Sequence, residues 1–334
     1  MDLGVTFASL TSLGPAAAPR VARLAEQLGY RSFWTAEATG PEAFSILAAA
    51  GAAAPSLDLG TGVVAIQVRS PMLAAMAAAT VQALHPNVDV ALGIGISSPV
   101  VTRHWHGVDY TDRPIAQMRE YIELVRLCLG GDPVTFDGDY YRIRRSRLGI
   151  KLGERRPRIV LAALNATMLS LAGEAADGVL LNYLPASHVP WSVEQVRKGE
   201  AATGRPSGDT TIYGYVHVGV GDPEAARPLA KRDLFSYAVV DSYARNFARA
   251  GFADEVAHIR ERFAAGDRDG AIEAVSDGMA DAINVVGDAD DVRRAVQAYV
   301  DGGIDAPVVM PLPWGDDRWA TVESTLKAAV SGLR

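Results

Sequence analysis

Apolar and polar positions follow two different rhythms along this chain, and the rhythms take turns. Short apolar runs at Leu3–Phe7, Ser32–Ala36, Leu57–Ile66, Val88–Ile96, Arg158–Ala163, Gly178–Leu181, Thr210–Val220 and Ala306–Met310 read as strands. Between them the pattern predicts helices over Pro15–Leu28, Pro41–Ala53, Met72–Ala83, Pro114–Leu129, Thr167–Ala175, Trp191–Thr203 and Asp290–Asp301. The first shows the reasoning: Val21, Leu24, Ala25 and Leu28 share a face, and Gly29 follows as a stop.

Alternating strand and helix implies a parallel sheet, and about eight such units predict a closed (β/α)8 TIM barrel, an α/β fold, in one domain over residues 1–334. The doubly wound alternative wants G-x-G-x-x-G after the first strand, where this chain has Phe7-Ala-Ser-Leu-Thr-Ser-Leu-Gly14. Two stretches break the rhythm and read as insertions. One, at about 132–157, is a hairpin over Pro133–Ile143 with Asp137-Gly138 at its turn, followed by a basic loop. The other is helical, at about 223–282, and is where substrate specificity is expected.

Glycine marks the third and fourth strands, in Leu59-Gly-Thr-Gly-Val-Val64 and Ala91-Leu-Gly-Ile-Gly-Ile-Ser-Ser98. Glycine inside a strand signals a bulge or a close approach by another group. Two neighbouring strands thinned in this way predict a flat ligand across their C-terminal ends, where β/α barrels place their chemistry.

Composition narrows the function classes. The chain of 334 residues carries a formal charge of −7 and no basic stripe, which argues against nucleic acid. The basic cluster from Arg142 to Arg158 reads as a solvated loop or as a rim for an acidic ligand. One cysteine, Cys128, excludes an internal disulfide. No leader and no long apolar span is read, so no membrane partner and a cytoplasmic location are expected.

Several pieces together resemble the luciferase-like superfamily, and within it the branch that uses the deazaflavin coenzyme F420. They are Leu28-Gly-Tyr-Arg-Ser-Phe-Trp-Thr-Ala-Glu37, the two glycine-bearing strands, Arg119-Glu-Tyr-Ile122, Ala175-Ala-Asp-Gly178 and Val286-Gly-Asp-Ala-Asp-Asp-Val292, in the family's order. The resemblance implies a barrel with insertions, deazaflavin bound at its C-terminal end, a homodimer, and a non-proline cis peptide at Gly62-Val63 against the ring. Phe7, Glu37, Gly62, Val63, Gly95, Ser97 and Ser98 then become candidate contacts to the ring system. Ala163, Leu164, Asn165 and Thr167, at a strand-to-helix junction, become candidates for the phosphate, because free N–H groups at a helix start suit an anion. Asn165 and Ala166 stand where the family often has Gly-Pro, and Asn165 could instead simply cap the helix.

The branch also contains sugar-phosphate dehydrogenases with a catalytic histidine where this chain has Ala38, and an acidic residue near Ser98. Both departures turn the expectation from alcohol oxidation towards reduction. The expected reaction moves hydride from reduced F420 (F420H2) to a C=N or activated C=C bond of a small, specialised-metabolite substrate. Glu37 is the candidate proton donor, which would need a raised pKa, or else a helix cap or loop acid. His104, beside Trp105 and His106, is a structural histidine of the loop or else a candidate substrate contact or relay, with the two histidines on one face if the segment is extended. No third ligand is read nearby, so no metal is expected. Trp105 and Tyr183 are candidate substrate contacts or packing residues. Two rivals remain: an FMN-dependent monooxygenase of the same superfamily, and a barrel that binds a ligand without turnover.

Overall fold

The computed structural model describes residues 2–331. Its strands are β1 (Gly4–Thr6), β2 (Ser32–Thr35), β3 (Asp58–Thr61), β4 (Val64–Ala65), β5 (Val90–Gly95), β6 (Val134–Asp137), β7 (Arg142–Ser146), β8 (Arg158–Ala162), β9 (Gly178–Leu181), β10 (Thr211–Val220), β11 (Asn284–Gly287) and β12 (Ala306–Pro311). The helices are α1 (Ala18–Leu28), α2 (Ala43–Ala53), α3 (Pro71–Leu84), α4 (Pro114–Gly130), α5 (Ala166–Ala175), α6 (Val189–Ala202), α7 (Pro223–Ala238), α8 (Asp241–Phe247), α9 (Ala253–Ala264), α10 (Arg268–Glu273), α11 (Asp277–Ile283), α12 (Ala289–Asp301) and α13 (Arg318–Val330).

Eight parallel strands close the barrel in the order β1-β2-β3-β5-β8-β9-β10-β12, with β12 returning to β1. The expected (β/α)8 barrel is therefore present. Side chains alternate between its two faces. Trp34, Val160, Leu180, Tyr215, Val308 and Met310 fill the interior. Val5, Phe7, Phe33, Leu59, Leu92, Ile94, Leu161 and Val179 face the helices and join the main core.

Some elements differ from the sequence reading. Strand β11 pairs with the C-terminal half of β10, His217–Val220, while the N-terminal half, Thr211–Gly214, pairs with β9. A four-residue strand after a long helical stretch offers too short a run to stand out. Helix α13 also lies beyond the predicted elements; it packs on α1 and α12, and Tyr30 Oη donates to Leu326 O at 2.9 Å. The hairpin connection spans 138–141 instead of a two-residue turn. The Glu120 carboxylate on α4 accepts from the N–H groups of Asp139, Tyr140 and Tyr141 at 2.9, 3.0 and 2.6 Å, which holds the longer loop open.

The basic segment lies at the wrong end to serve as a rim. Arg155 pairs with Asp89, just before β5, and Arg158 opens β8, so both mark the N-terminal end of the barrel. The strand ends face the other way.

The strand glycines are explained by the chain itself. A Cβ on Gly93 would lie 1.8 Å from Thr61 O, and one on Gly95 would lie 2.8 Å from a Val63 methyl. The close approach is made by the bulge between β3 and β4. Across the barrel, Tyr215 Oη donates to Gly62 O at 2.9 Å and accepts from Thr6 Oγ1 at 3.2 Å. A Cβ on Gly62 would sit 2.0 Å from that hydroxyl.

Gly62→Ala is therefore expected to destabilise the protein by about 1–3 kcal/mol, the usual cost of overpacking. Tyr215→Phe is expected to cost about 1–3 kcal/mol, because it orphans a buried carbonyl. The double variant should lose less than the sum, since removing the hydroxyl makes room for the methyl. Denaturant unfolding of the three variants measures this directly.

Candidate active site

The site is built from the last inward-facing residue of each strand. Ala8, Ala36, Val63, Gly95 and Ala162 form one arc at the C-terminal end of the barrel, following Thr6, Trp34, Gly93 and Val160 in the inward register. They are small, and all but Gly95 are partly open to the mouth. Asn182 and His217 form the opposite arc, one step above Leu180 and Tyr215, with His217 Nε2 2.8 Å from Asn182 Oδ1. The floor is thus apolar on one side and polar on the other.

On the apolar side the Gly62-Val63 peptide is cis. Gly62 N–H donates to Thr35 O at 2.6 Å, and Glu37 N–H donates to Val63 O at 3.3 Å, so the bulge is tied to β2 at both ends. Glu37 itself is the partner of Arg69: Nε to Oε1 is 3.0 Å and Nη2 to Oε2 is 2.7 Å. Glu37 Oε2 also accepts from Ala43 N–H at 3.1 Å, at the start of α2. Arg69 reaches Glu42 as well, and the Glu42 carboxylate caps α2 through the N–H groups of Phe44 and Ser45. This corrects the reading of Glu37 as a proton donor. Both carboxylate oxygens are engaged, by the guanidinium and by the amide that opens α2, so the side chain acts as a clamp and helix cap and neither oxygen is free to meet a reactant.

Alternation corrects two further candidates. Phe7 is fully buried in the layer between strands and helices, its ring 6.4 Å from that of Phe33, and Ala8 is the residue facing the barrel. Ala163 likewise packs into the main core, while Ala162 and Leu164 lie in the inward register. A one-residue shift exchanges the faces of a strand.

The segment after β5 is helical over Val100–Trp105, not extended. Residues two apart on a helix diverge by roughly 200°. His104 is exposed, while His106 Nε2 lies 2.7 Å from Ala38 O and bridges two loops of the mouth. Trp105 is 56% exposed and forms no wall. Ser98 starts this turn: its Oγ accepts from Val101 N–H at 3.3 Å and its carbonyl from Thr102 N–H at 3.0 Å. Ser97 N–H donates to Gln67 Oε1 at 3.4 Å, and both serines are partly open to the mouth.

At the start of α5, Asn165 makes no side-chain cap. Its Nδ2 donates instead to Ser242 O at 3.2 Å, and its Oδ1 accepts from Arg249 Nη1 at 3.3 Å. The N–H groups of Ala166 and Thr167 donate to no other group among the described residues. Arg249 also lies over the Trp191 ring, 4.4 Å from its centroid. Two free amides beside a guanidinium make an anion seat at a helix start. Arg249 comes from the helical insertion, and nothing in the local sequence points to it.

Tyr183 is 4% exposed and packs into a second core with Leu234, Phe235, Phe247 and Ile259 of the insertion. Its ring lies 3.9 Å from Tyr237 and 4.4 Å from His217, and its Oη donates to Asp233 Oδ1 at 3.2 Å. It is a joint between barrel and insertion and does not line an open pocket. Sequence reasoning missed Asn182, His217, Tyr215 and Arg69. Inward register flags the first three once strand boundaries are known; Arg69 has no local signal. No group of three or more metal-ligating side chains occurs among the described residues, and none of their helices is long and apolar enough to cross a membrane.

Comparison with known proteins places these features. The family described as luciferase-like monooxygenase matches residues 4–306. A Mycobacterium tuberculosis protein named as a candidate coenzyme F420-dependent oxidoreductase is 29% identical over 330 residues, covering 92% of this chain and 94% of that protein. The 5,10-methylenetetrahydromethanopterin reductase of Archaeoglobus fulgidus is 29% identical over 320 residues, covering 93% and 94%. The solved structure of the coenzyme F420-dependent tetrahydromethanopterin reductase of Methanopyrus kandleri superposes with a TM-score of 0.77 at 20% identity, covering 99% of this chain and 97% of that one. That likeness shows a shared fold.

Glu37→Gln keeps the size of the side chain and removes the charge that Arg69 answers. The expected cost is about 1–3 kcal/mol of stability, the range for a hydrogen bond to a charged group that is lost while its partner stays half-buried. Thermal and denaturant unfolding read it; an unchanged midpoint overturns the clamp as a stabilising contact.

Proposed function

The chain belongs to the luciferase-like monooxygenase family, and on that basis we propose that it is an F420H2-dependent reductase. Its acceptor is a C=N or activated C=C bond of a small substrate, with a specialised-metabolite imine or enamide as the leading class. The observation that carries the reading is the floor: small side chains beside the bulge on one arc, Asn182 and His217 on the other. The relatives named as F420-dependent oxidoreductase and as reductase support the cofactor and the direction.

The residues present fit a deazaflavin. Val63 and Ala162, partly open to the mouth, would receive its ring system, with the backbone of Gly62 and Gly95 beneath them letting the chain pack close. Ser97 and Ser98 would meet its polar edge. The backbone from Leu164 to Thr167, with Arg249, would hold its phosphate. When bound, the reduced deazaflavin supplies the hydride. The chain itself orients two flat reactants and excludes water from the apolar arc. Glu37 holds the bulge through its backbone N–H, which donates to Val63 O, while its carboxylate is engaged by Arg69.

The family's description favours FMN and oxygen as the second reading. Side-by-side titration separates the two. We expect deazaflavin to bind at micromolar affinity or tighter by fluorescence quenching, and FMN to bind at least tenfold more weakly. Preference for FMN overturns the reading, and binding without turnover on imines and enamides points to a barrel that only binds. Arg249→Ala is expected to weaken F420 by about tenfold, or ~1.4 kcal/mol, while leaving a deazaflavin that lacks the phosphate tail unaffected.

We further propose a homodimer working in the cytoplasm. Helices α2 and α3 carry no charged residue, and Leu73, Met76 and Leu84 on α3 are about half exposed, at 46, 47 and 59%. An uncharged apolar face of this kind marks an interface. The sole cysteine, Cys128, is buried, which accords with a reducing compartment. Sedimentation at micromolar concentration is expected to give a dimer; a clean monomer overturns it.

A further inference from the structure

Four polar side chains run in a line from the barrel floor into the helical insertion. His217 Nε2 lies 2.8 Å from Asn182 Oδ1, and its Nδ1 lies 3.0 Å from Asn284 Oδ1. Asn284 Nδ2 lies 3.2 Å from Asp233 Oδ2. Two further bonds fix the ends: Tyr183 N–H donates to Asn182 Oδ1 at 2.9 Å, and Tyr183 Oη donates to Asp233 Oδ1 at 3.2 Å. His217 and Asn284 are buried at 2% and 3% exposure, so each of their polar atoms needs a partner.

Counting donors gives an uneven sum. A neutral imidazole has one N–H and one lone pair. Tyr183 N–H calls for the oxygen end of Asn182, and an ionised Asp233 calls for the nitrogen end of Asn284. With both amides so placed, His217 faces two oxygens and must donate from both nitrogens. The line is satisfied when it holds one extra proton, in either of two ways. His217 is doubly protonated beside an ionised Asp233; or Asp233 is protonated, donates to Asn284 Oδ1, Asn284 turns its NH2 to His217 Nδ1, and His217 Nε2–H donates to Asn182. The second arrangement leaves every group neutral. Burial favours it, pushing Asp233 up to about 6 and His217 down to about 4.

Losing the extra proton reverses the line. Ionised Asp233 takes the NH2 of Asn284, Asn284 Oδ1 takes His217 Nδ1–H, and His217 Nε2 becomes a lone pair. The NH2 of Asn182 must then turn to meet it, giving up the bond from Tyr183. We propose that Asn182 is the ligand-reading side chain of the barrel floor, and that Asp233, acting through Asn284 and His217, sets which end of its carboxamide faces the mouth. With the proton held, Asn182 Nδ2 has no partner among the described residues and offers its N–H to a ligand oxygen. The ligand class is a molecule with an accepting oxygen, such as the carbonyl that activates a C=C bond. On the reductase reading, to which this last clause alone is tied, that donor stabilises charge gathering on the oxygen during reduction. His217 and Asp233 are positioning residues.

The groups facing Asp233 are few. Tyr183, Tyr237 on the same helix and Tyr243 on α8 are held protonated by burial, and His217 lies behind Asn284. Charged groups of the other packed helices are engaged elsewhere: Asp277 with Lys231, Asp281 with Arg227, Arg260 with Asp241, Glu255 with Ser276, and Arg268 over Phe235.

The test uses the full chain without cofactor, labelled with ¹⁵N in histidine and in asparagine side chains, and followed by NMR from pH 5 to 8.5. Asp233→Asn is the key variant, because its NH2 donates to Asn284 Oδ1 at every pH and mimics the protonated acid. In the native protein, His217 is expected to pass from the Nε2–H tautomer, or from the doubly protonated ring, to the Nδ1–H tautomer as pH rises. Asn182 NH2 is expected to gain protection from exchange, relative to a free carboxamide, over the same range. Asp233→Asn should stay in the Nε2–H form with an unprotected Asn182 NH2. One unchanging tautomer in the native protein, or the same switch in Asp233→Asn, overturns the proposal. Neither readout uses deazaflavin, so failure of the cofactor titration leaves this result distinct.

Discussion

The mouth of this barrel depends on one hydroxyl. Tyr215 reaches across the interior to the Gly62 carbonyl and takes a bond from Thr6 on its way. The contact joins β10 to the bulge after β3, on opposite sides of the ring of strands. It admits no side chain at residue 62, and it fixes the height at which Val63 crosses the floor. Val63 in turn sits over Gly95, with Thr61 O over Gly93. A chain of close approaches therefore runs from a tyrosine on the seventh barrel strand to two glycines on the fourth. The bulge is held on its outer side by a second device, the Glu37–Arg69–Glu42 clamp, which links β2, the β4–α3 loop and the start of α2. The carboxylates and guanidinium are spent on geometry, and the floor they shape is left apolar.

That division bears on what was legible in the sequence. Strand and helix rhythm depends on local periodicity, and it placed the barrel strands, their order and the glycine-marked bulge. What was not legible is what depends on partners far along the chain. Glu37 reads as either a donor or a cap for the next helix; the cap contact to Ala43 N–H is there, but Arg69, which occupies the rest of the carboxylate from 32 residues away, leaves no local signal. The glycines in and after β3 and in β5 were rightly read as close approaches, but the approaching groups are the protein's own: Trp34 at Gly60, the Tyr215 hydroxyl at Gly62, Thr61 O at Gly93 and Val63 at Gly95. Phe7 and Ala163 were one residue out of inward register, an error that a period of two turns into opposite faces. His104 and His106 would share a face only on an extended segment; the segment coils instead, and it is His106 that reaches Ala38 O. The basic segment was left open between a solvated loop and a rim because charge in sequence carries no information about which end of a barrel it occupies. Arg249 lies in an insertion whose helices have no motif, and only the bond from Asn165 to Ser242 O on α8 and that from Arg249 itself bring it to the α5 start.

The insertion is more than a cover. Its core is built around Tyr183, a residue of the barrel, held at φ +50° with its carbonyl bonded by Asn246 at 2.9 Å. Its acid Asp233 answers a barrel histidine through a strand, β11, that exists where β10 has parted from β9. The polar arc of the floor is thereby wired to the insertion, while the apolar arc is wired to the barrel itself. A change in the insertion can alter how Asn182 and His217 are presented without disturbing the bulge. A change at Tyr215 or Gly62 cannot be confined in the same way. The two reactants of a hydride transfer need opposite treatment: a flat dry surface for one and directed polar contacts for the other. On the proposed reductase reading each reactant would have its own half of the floor, so that the polar contacts to the second can be retuned from the insertion while the apolar seat for the ring of the first stays anchored in the barrel.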